Sequence, residues 1–536
     1  MFGHTVAEFF GHMLIGFTRS VAEQYNCDES DNHSELFGYY ALDDTGKEWY
    51  DQPVGEVVYQ EYSNSEATAW DYLRTRSRAR LIDACSTEDT EQTQEVNEGR
   101  AMAWKQLRPK TLWTLWSSLY FGFLISVLSA TVVGMISIPI YYLGFQTLLN
   151  CEDHPKESIP TNLQWVITIS EIFSVSFLYY WFFLNILFYF RPFQISGLKL
   201  KLFFLCLPFL FVDSAYRIVL QVFGISHSKL TPTQRIPVAI LHVLSICLQI
   251  YIIARHFCQR SRIKQLKLVL LLIIPSVLTL VGASLVSLFI YPTYNRQDKS
   301  GKVIIAIFAP LIVVFFKVTS RICVQRLWFR ISHPGTSYVL LIPLYCGSAV
   351  MMRLLQVDLQ SLQSVVLIGV IRGIAEVIER STMVFIDHIC HKVLENRTIP
   401  WGGFRTPRRE RLAADITIMS MLYESSAIIS VNCFLYLYQY FYTDVSSPIQ
   451  LLQSFALHCS VPLVAEWFFT SVSIAIESRY QNMPVMAVWR KRWRRHILVA
   501  VINLVMISIW AGTHLLTTVQ GRFTDKTKDH CEMPFS

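Results

Sequence analysis

The stretch "VLIGVIRGIAEVIERSTMVF", Val366 to Phe385, is apolar enough to enter a membrane, yet it contains two arginines and two glutamates. A charge at the centre of a bilayer costs roughly 2.5 to 3.5 kcal/mol on insertion scales, so lipid strongly disfavours four of them. Either this stretch does not cross a membrane, or its charges face something other than lipid. The rest of the chain decides between these two alternatives.

The composition of the whole chain indicates an integral membrane protein. Hydrophobic residues make up 52% of the 536 positions and charged residues only 16%, which is unusual for a soluble domain. Apolar runs long enough to cross a bilayer as helices predict an all-α, polytopic membrane protein with about eleven spans, in a range of about ten to twelve. The predicted spans are Ser117 to Thr147, Leu163 to Phe190, Leu202 to Val222, Ile236 to Ala254, Leu268 to Ile290, Val303 to Phe316, Tyr338 to Leu355, Ser364 to Phe385, Leu412 to Tyr442, Ile449 to Ile476 and Ile497 to Val519.

The connections between these spans alternate in charge. "RPFQISGLKLK", "RHFCQRSRIKQLK" and "WRKRWRR" are basic, whereas "NCEDHPKESIP", "QVDLQSLQ" and "YTDVSSP" are neutral or acidic. Because cytoplasmic connections are enriched in Lys and Arg, the pattern predicts a cytoplasmic N-terminus and a C-terminus outside. Without a crossing at Ser364 to Phe385, the basic "RTPRRER" would lie on the same side as "QVDLQSLQ", so this stretch is predicted to cross.

The N-terminal part of the chain has a different composition. Residues 1 to 100 contain twenty acidic and seven basic side chains and few aliphatic runs, which favours an extended, solvated segment. We therefore expect an acidic, largely extended cytoplasmic tail over residues 1 to 110 and a transmembrane bundle over 111 to 519. A short C-terminal tail is expected over 520 to 536.

The charged residues of the opening stretch share one side of a helix. Arg372, Glu376, Glu379 and Arg380 fall within a stripe of about 100° on a helical wheel, while residues such as Ile374 and Ile378 lie away from it. The stretch is thus predicted to be two-faced, apolar outward and charged inward. Gly369 and Gly373 lie beside the stripe in a G-x-x-x-G spacing, which allows a neighbouring helix to approach closely.

Several spans place an acidic residue near the membrane midplane. Carboxylates that meet at one depth are suited to a cation or proton relay, because a desolvated carboxyl group can take up and release a proton. We expect Arg372 to keep Glu376 ionised, four residues away on the same helix. The alternative is that the acids are structural and pair with Arg353 and the other buried arginines. The residues predicted to act in transport or coupling are Glu376, Glu424, Glu466, Asp213, Arg372 and Glu379.

Three functional classes fit this pattern. A secondary transporter or channel for an ion or small polar solute accounts for the midplane acids. A lipid transporter or scramblase would need the charged stripe to be uncovered on a membrane-facing groove. A membrane-embedded acyltransferase would need a catalytic histidine, His458 or His242, but neither is accompanied by a second recognisable catalytic group. The protein is therefore not expected to be an enzyme.

The remaining predictions concern cysteines and partners. Cys151 and Cys531 fall in stretches assigned to the outside, where disulfides persist, and are predicted to pair with each other. No phosphate-binding glycine loop and no Cys and His cluster with metal-ligand spacing occurs, so neither a cofactor nor a metal is expected. The expected partner is the lipid bilayer of the plasma membrane or an endomembrane, with anionic lipids contacting the basic stretch Ala487 to His496. A nucleic-acid partner is not expected.

Overall fold

The computed structural model describes residues 111–154, 159–190, 195, 197–225, 232–258, 262–327, 334–357, 362–395, 407–442, 447–479, 483 and 485–523. The acidic tail predicted over residues 1 to 110 and the end of the predicted C-terminal tail lie outside these residues. The longer helices are α1 (Thr111–Glu152), α2 (Thr161–Tyr189), α3 (Leu198–Val222), α4 (Pro232–Phe257), α5 (Arg262–Leu285), α6 (Lys299–Gln325), α7 (Ile342–Val357), α8 (Leu362–Glu395), α9 (Pro407–Tyr442), α10 (Pro448–Arg479) and α11 (Val485–Phe523).

Short helical segments adjoin two of these helices. A π-helical turn over Val286–Ile290 continues α5 into the segment Tyr291–Asn295. The segment Pro334–Ser337 and a 3₁₀ turn over Tyr338–Leu341 lead into α7. Among the described residues, nine helical segments, located in α1 to α7, α9 and α10, are long and apolar enough to cross a membrane. This result confirms the predicted class, a multi-pass helical membrane protein.

The chain divides into two compact units. Of the described residues, the first unit contains those within 111–121, 381–418 and 471–497, and the second contains those within 122–380, 419–470 and 498–523. Within the second unit, α2 packs on α3, α3 on α4, α4 on α5, and α5, α6 and α7 pack on one another.

Small hydroxyl side chains join α1 to α9 within the second unit. Ser129 Oγ donates a hydrogen bond of 2.6 Å to the Leu422 carbonyl and lies 2.7 Å from Ser426 Oγ. One layer further along, the Tyr141 hydroxyl lies 2.9 Å from Ser430 Oγ. Serine side chains are short, so the two helices approach closely while these hydroxyls find partners on the facing helix. This packing helps to explain why α9 is buried along nearly its whole described length.

In the first unit, α11 bends at Arg492, where the backbone leaves helical geometry with φ −130° and ψ 17°. The ring of His496 lies with Nδ1 2.9 Å from the Arg492 carbonyl and Nε2 2.9 Å from Asp415 Oδ1. The ring thus joins the carbonyl at the bend to the buried carboxylate of Asp415, which Arg411 also contacts at 2.9 Å.

The basic stretch Ala487 to His496 is part of α11 and is not uniformly exposed. Trp489 packs edge-on against Phe121 with ring centroids 5.8 Å apart, and both Trp489 and Arg495 are buried. Contact of this stretch with anionic lipid stays a prediction, and Arg490 and Arg494 are exposed side chains available for it.

The helix at the sixth predicted span is longer than its apolar run. The run ends at Phe316, but α6 continues to Gln325. The helix continues because Lys317 and Arg321 find partners on neighbouring helices, as described below. Their charges are therefore satisfied inside the protein and do not mark a helix end.

Candidate functional site

A buried group of charged side chains lies in the second unit, and we call it the charged network. Its residues come from five helices, α6 to α10. Many of them are far apart in the sequence. Its members are Lys317, Arg321, Arg353, Arg372, Glu376, Glu379, Arg380, Glu424 and Glu466.

Arg353 of α7 joins two of the acids. Its Nη2 donates a hydrogen bond of 2.6 Å to Glu466 Oε2 and lies 3.4 Å from Glu424 Oε2. The other oxygen of Glu466 accepts a hydrogen bond of 3.4 Å from Thr470 Oγ1, one turn along α10. Arg353 and Glu466 are both buried, and pairing is what permits ionised groups at such positions.

Arg372 of α8 binds the same glutamate from another side. Its Nη2 contacts both carboxylate oxygens of Glu424, at 2.6 Å and 2.5 Å. The second terminal nitrogen of Arg372, Nη1, is buried and has no hydrogen-bond partner among the described residues. Glu424 therefore links Arg353 and Arg372 and forms the centre of the network.

Glu376 is placed differently from the prediction. The expected partner, Arg372, directs its hydrogen bonds to Glu424, while Glu376 lies 3.6 Å from Arg380 and accepts a long hydrogen bond of 3.5 Å from Ser420. Glu424 offers Arg372 both carboxylate oxygens across the helix interface, and these two contacts take the place of the pair along α8. Glu376 is the acid of this network with the weakest contacts in the described residues.

Glu379 is paired with a residue that the sequence did not suggest. Lys317 Nζ of α6 lies 3.2 Å from both oxygens of Glu379 and 4.8 Å from the centroid of the Tyr345 ring. The Tyr345 hydroxyl accepts a hydrogen bond of 3.0 Å from Arg321 Nη1. Sequence reasoning missed Lys317 and Arg321 because they follow an apolar run, where a basic residue ordinarily marks the membrane surface.

The two-faced character predicted for α8 is present in the structure. The Glu376 side chain is 14% exposed, whereas Ile378 on the opposite face is 57% exposed. Of the two glycines, Gly373 lies so close to Phe469 of α10 that a β-carbon there would overlap the ring. Gly369 has nothing within 4 Å of such an atom, so only one half of the predicted glycine pair makes a close contact.

Asp213 belongs to a second buried group, formed by α2 and α3. Arg217 Nε donates a hydrogen bond of 2.7 Å to Asp213 Oδ1, and Arg217 Nη1 forms a salt bridge with Glu171. The i,i+4 spacing of Asp213 and Arg217 allows this contact within one helix, whereas no spacing rule relates them to Glu171 on α2. Asp213 is thus not shown to join Glu376, Glu424 and Glu466.

The two histidines considered for catalysis occupy ordinary positions. His458 Nδ1 lies 2.9 Å from both the Ser454 carbonyl and the Tyr436 hydroxyl, and His242 packs edge-on against Tyr179. Among the described residues, no group of three or more His, Cys, Asp or Glu side chains is arranged to hold a metal ion.

Cys151 at the end of α1 is disulfide-bonded. Cys531 lies outside the described residues, so the pairing of these two cysteines stays a prediction. The other eight cysteines of the described residues form no disulfide bond.

No protein-family model matches the chain, and no curated protein or solved structure matches it either.

Proposed function

We propose that the protein is a secondary transporter or channel that moves an ion or a small polar solute past the charged network. The observation that supports this proposal most strongly is the meeting of Glu376, Glu424 and Glu466, from three successive helices, with two arginines in the buried interior of one unit. Each buried charge carries a cost in free energy. A bundle held together by apolar contacts alone would not need nine of them in one place.

The charged stripe of α8 faces the protein interior. This favours a path for a solute over a membrane-facing groove for lipid headgroups. A scramblase of the kind considered above needs charged side chains on a face open to lipid, but α8 turns its apolar face outward and its charges inward. The stripe residues nevertheless keep a fraction of their side chains accessible, about one eighth for Arg372 and one seventh for Glu376. Partial access at an otherwise buried charge is what a solute path requires.

We further propose that all eleven helices cross the membrane, with the N-terminus in the cytoplasm and the C-terminus outside. The inward charges of α8 remove the main objection to its crossing, since lipid would meet mostly apolar residues. The disulfide at Cys151 supports an outside location for the end of α1, because disulfides persist in oxidising compartments. In this proposal the protein has no catalytic role.

The test is an isotopic flux assay in proteoliposomes with Na⁺, K⁺, Cl⁻ and a zwitterionic amino acid as probes. Glu424→Gln and Glu466→Gln preserve side-chain shape and hydrogen-bonding capacity but abolish titration, so each should reduce the flux of the transported probe at least tenfold. Asp298→Asn, at an exposed carboxylate before α6, is the matched control and should retain the wild-type rate.

Purified variants are first compared with the wild type for thermal unfolding in detergent, so that a folding defect is not read as lost flux. If no probe crosses with the wild-type protein, or if both Gln variants keep the wild-type rate and pH profile, the network is structural. Its acids would then serve only to bind helices to one another.

A further inference from the structure

The four glutamates of the charged network differ in how closely a cation approaches them. In three of them a cationic nitrogen lies within 3.2 Å of a carboxylate oxygen; the pairs are Glu424 with Arg372, Glu466 with Arg353 and Glu379 with Lys317. For Glu376, the nearest cationic nitrogen among the described residues is Arg380 Nη1, at 3.6 Å. This distance is longer than a hydrogen bond. Glu376 is therefore the acid whose negative charge is least compensated by direct contact.

Charged groups from five helices surround Glu376. Those that interact with it electrostatically are Lys317 of α6, Arg353 of α7, Arg372 and Arg380 of α8, Glu424 of α9 and Glu466 of α10. The two neighbouring carboxylates repel a negative charge on Glu376, and they already engage Arg353 and Arg372. Lys317 engages Glu379. Burial and like charges both disfavour an ionised carboxylate relative to its neutral, protonated form.

The surroundings of Glu376 suit a carboxyl group in either protonation state. Its Oε1 lies 3.5 Å from the hydroxyl of Ser420. A hydroxyl group donates and accepts hydrogen bonds, and a protonated carboxyl group does the same, so this contact can persist when a proton binds. The Glu376 side chain also keeps its accessible seventh, which gives a proton a route that a fully enclosed group lacks.

We propose that Glu376 is the proton-binding residue of the charged network, and that binding and release of this proton are coupled to the movement of the solute. The proton comes from water and returns to water, and the carboxylate becomes a neutral carboxyl group while the proton is bound. After release, the Glu376 carboxylate competes with Glu424 for Arg372, which lies one turn away on α8. Transfer of Arg372 from Glu424 to Glu376 loosens the contact between α8 and α9.

The coupling rests on the transport function proposed above, whereas proton binding by Glu376 does not. The two are therefore tested separately. The test of proton binding needs no transported solute, and the test of coupling uses the same probes as the flux assay.

Proton binding is tested by infrared difference spectroscopy of the full-length protein in liposomes, recorded as a function of pH. The wild type should show the C=O band of a protonated carboxyl group that disappears as the pH rises. Glu376→Gln should remove this band, and Glu376→Asp should keep a band at a changed frequency. Asp298→Asn, at an exposed carboxylate, should leave the spectrum unchanged.

A band that survives in Glu376→Gln overturns the proposal, as does its absence from the wild type. If Glu376→Gln fails to fold, Glu376→Asp still decides, because the band of a different carboxyl group would keep its frequency in that variant.

The exchange of Arg372 between two carboxylates is tested with Glu424→Gln. This substitution removes a like charge and releases Arg372 to Glu376. The midpoint at which the Glu376 band disappears should therefore move to lower pH by about one unit or more, as for a carboxyl group that gains a neighbouring cation. An unchanged midpoint would overturn the exchange.

Coupling is tested in proteoliposomes at zero membrane potential, with Na⁺, K⁺, Cl⁻ and a zwitterionic amino acid as probes. A proton gradient should drive accumulation of the transported probe by the wild type and not by Glu376→Gln. If the wild type moves a probe that no proton gradient drives, the coupling is overturned and the transport function stands. If the wild type moves no probe, the transport function fails together with the coupling, and the infrared spectra alone decide whether Glu376 binds a proton.

Discussion

Arg353 contacts two carboxylates of the charged network from a buried position. It is buried in α7, and its Nη2 serves both Glu466 and Glu424. Glu424 keeps a second cation, Arg372, but the partner of Glu466 other than Arg353 is the neutral hydroxyl of Thr470. Removal of Arg353 therefore strands Glu466 rather than Glu424.

Replacement of Arg353 by methionine should destabilise the protein by about 3 to 5 kcal/mol, because it leaves a buried carboxylate without its cation. The measurement is thermal or denaturant unfolding of the purified protein in detergent. Adding Glu466→Gln to Arg353→Met should recover much of the loss, since the stranded charge is then removed as well. Equal unfolding of the single and double variants would show that Arg353 stabilises α7 by packing and not through Glu466.

For single residues, the sequence predicted which charged side chains lie within the spans but not which residues they contact. Glu424 and Glu466 could be recognised as intramembrane acids, and Asp213 with Arg217 as a local pair. Arg353 precedes Glu424 by 71 residues and Glu466 by 113, so no spacing rule connects them. The predicted pair of Arg372 and Glu376 was wrong because a contact across helices outcompeted the one along the helix.

Among the helices, α8 shows what the helical periodicity of a sequence can and cannot predict. The 100° stripe correctly predicted which face is charged and which is apolar, because a helix fixes the angles between its residues. The neighbour opposite each position could not be predicted, since it depends on how α10 packs. This is why the two glycines, equivalent in the sequence pattern, differ in the structure.

A matched pair of substitutions on α8 tests this difference. Gly373→Ala places a methyl group against the ring of Phe469, and the overlap should cost about 1 to 3 kcal/mol, as overpacking of a core does. Gly369→Ala meets open space and should be neutral or stabilising by up to about 1 kcal/mol, because alanine favours the helix.

The free energy of unfolding of the two alanine variants in the same detergent is the measurement. Gly373→Ala in combination with Phe469→Leu should regain stability, because the smaller side chain vacates the space. Equal stability of Gly373→Ala and Gly369→Ala would mean that α8 and α10 do not approach each other closely at Gly373.

The end of α6 illustrates a limit of hydropathy at the scale of an element. Apolar runs located the helix, but its last nine residues include Lys317 and Arg321, which a hydropathy profile treats as the start of a loop. Their partners, Glu379 and Tyr345, satisfy them within the protein. Helix ends can thus be predicted from apolar runs only where the flanking charges remain in water.

For the whole molecule, the proposed orientation of the termini limits which cysteine can pair with Cys151. The chain contains twelve cysteines, of which the described residues include nine: Cys151 and eight that form no disulfide bond. The remaining candidates for the partner of Cys151 are Cys27, Cys85 and Cys531. Cys27 and Cys85 belong to the tail predicted to be cytoplasmic, where thiols stay reduced. With the N-terminus inside and the C-terminus outside, Cys531 is the candidate that shares an oxidising compartment with Cys151.

We therefore expect Cys531→Ser to expose one new thiol, on Cys151, when the non-reduced protein is denatured and alkylated, with mass spectrometry of the peptides as the measurement. Cys27→Ser and Cys85→Ser are the matched controls and should leave Cys151 protected, because neither can meet it across the membrane. Protection of Cys151 in the Cys531→Ser variant, together with its release in Cys27→Ser or Cys85→Ser, would place the N-terminal tail outside. That result would conflict with the proposed crossing of the membrane by α1, which ends beside Cys151.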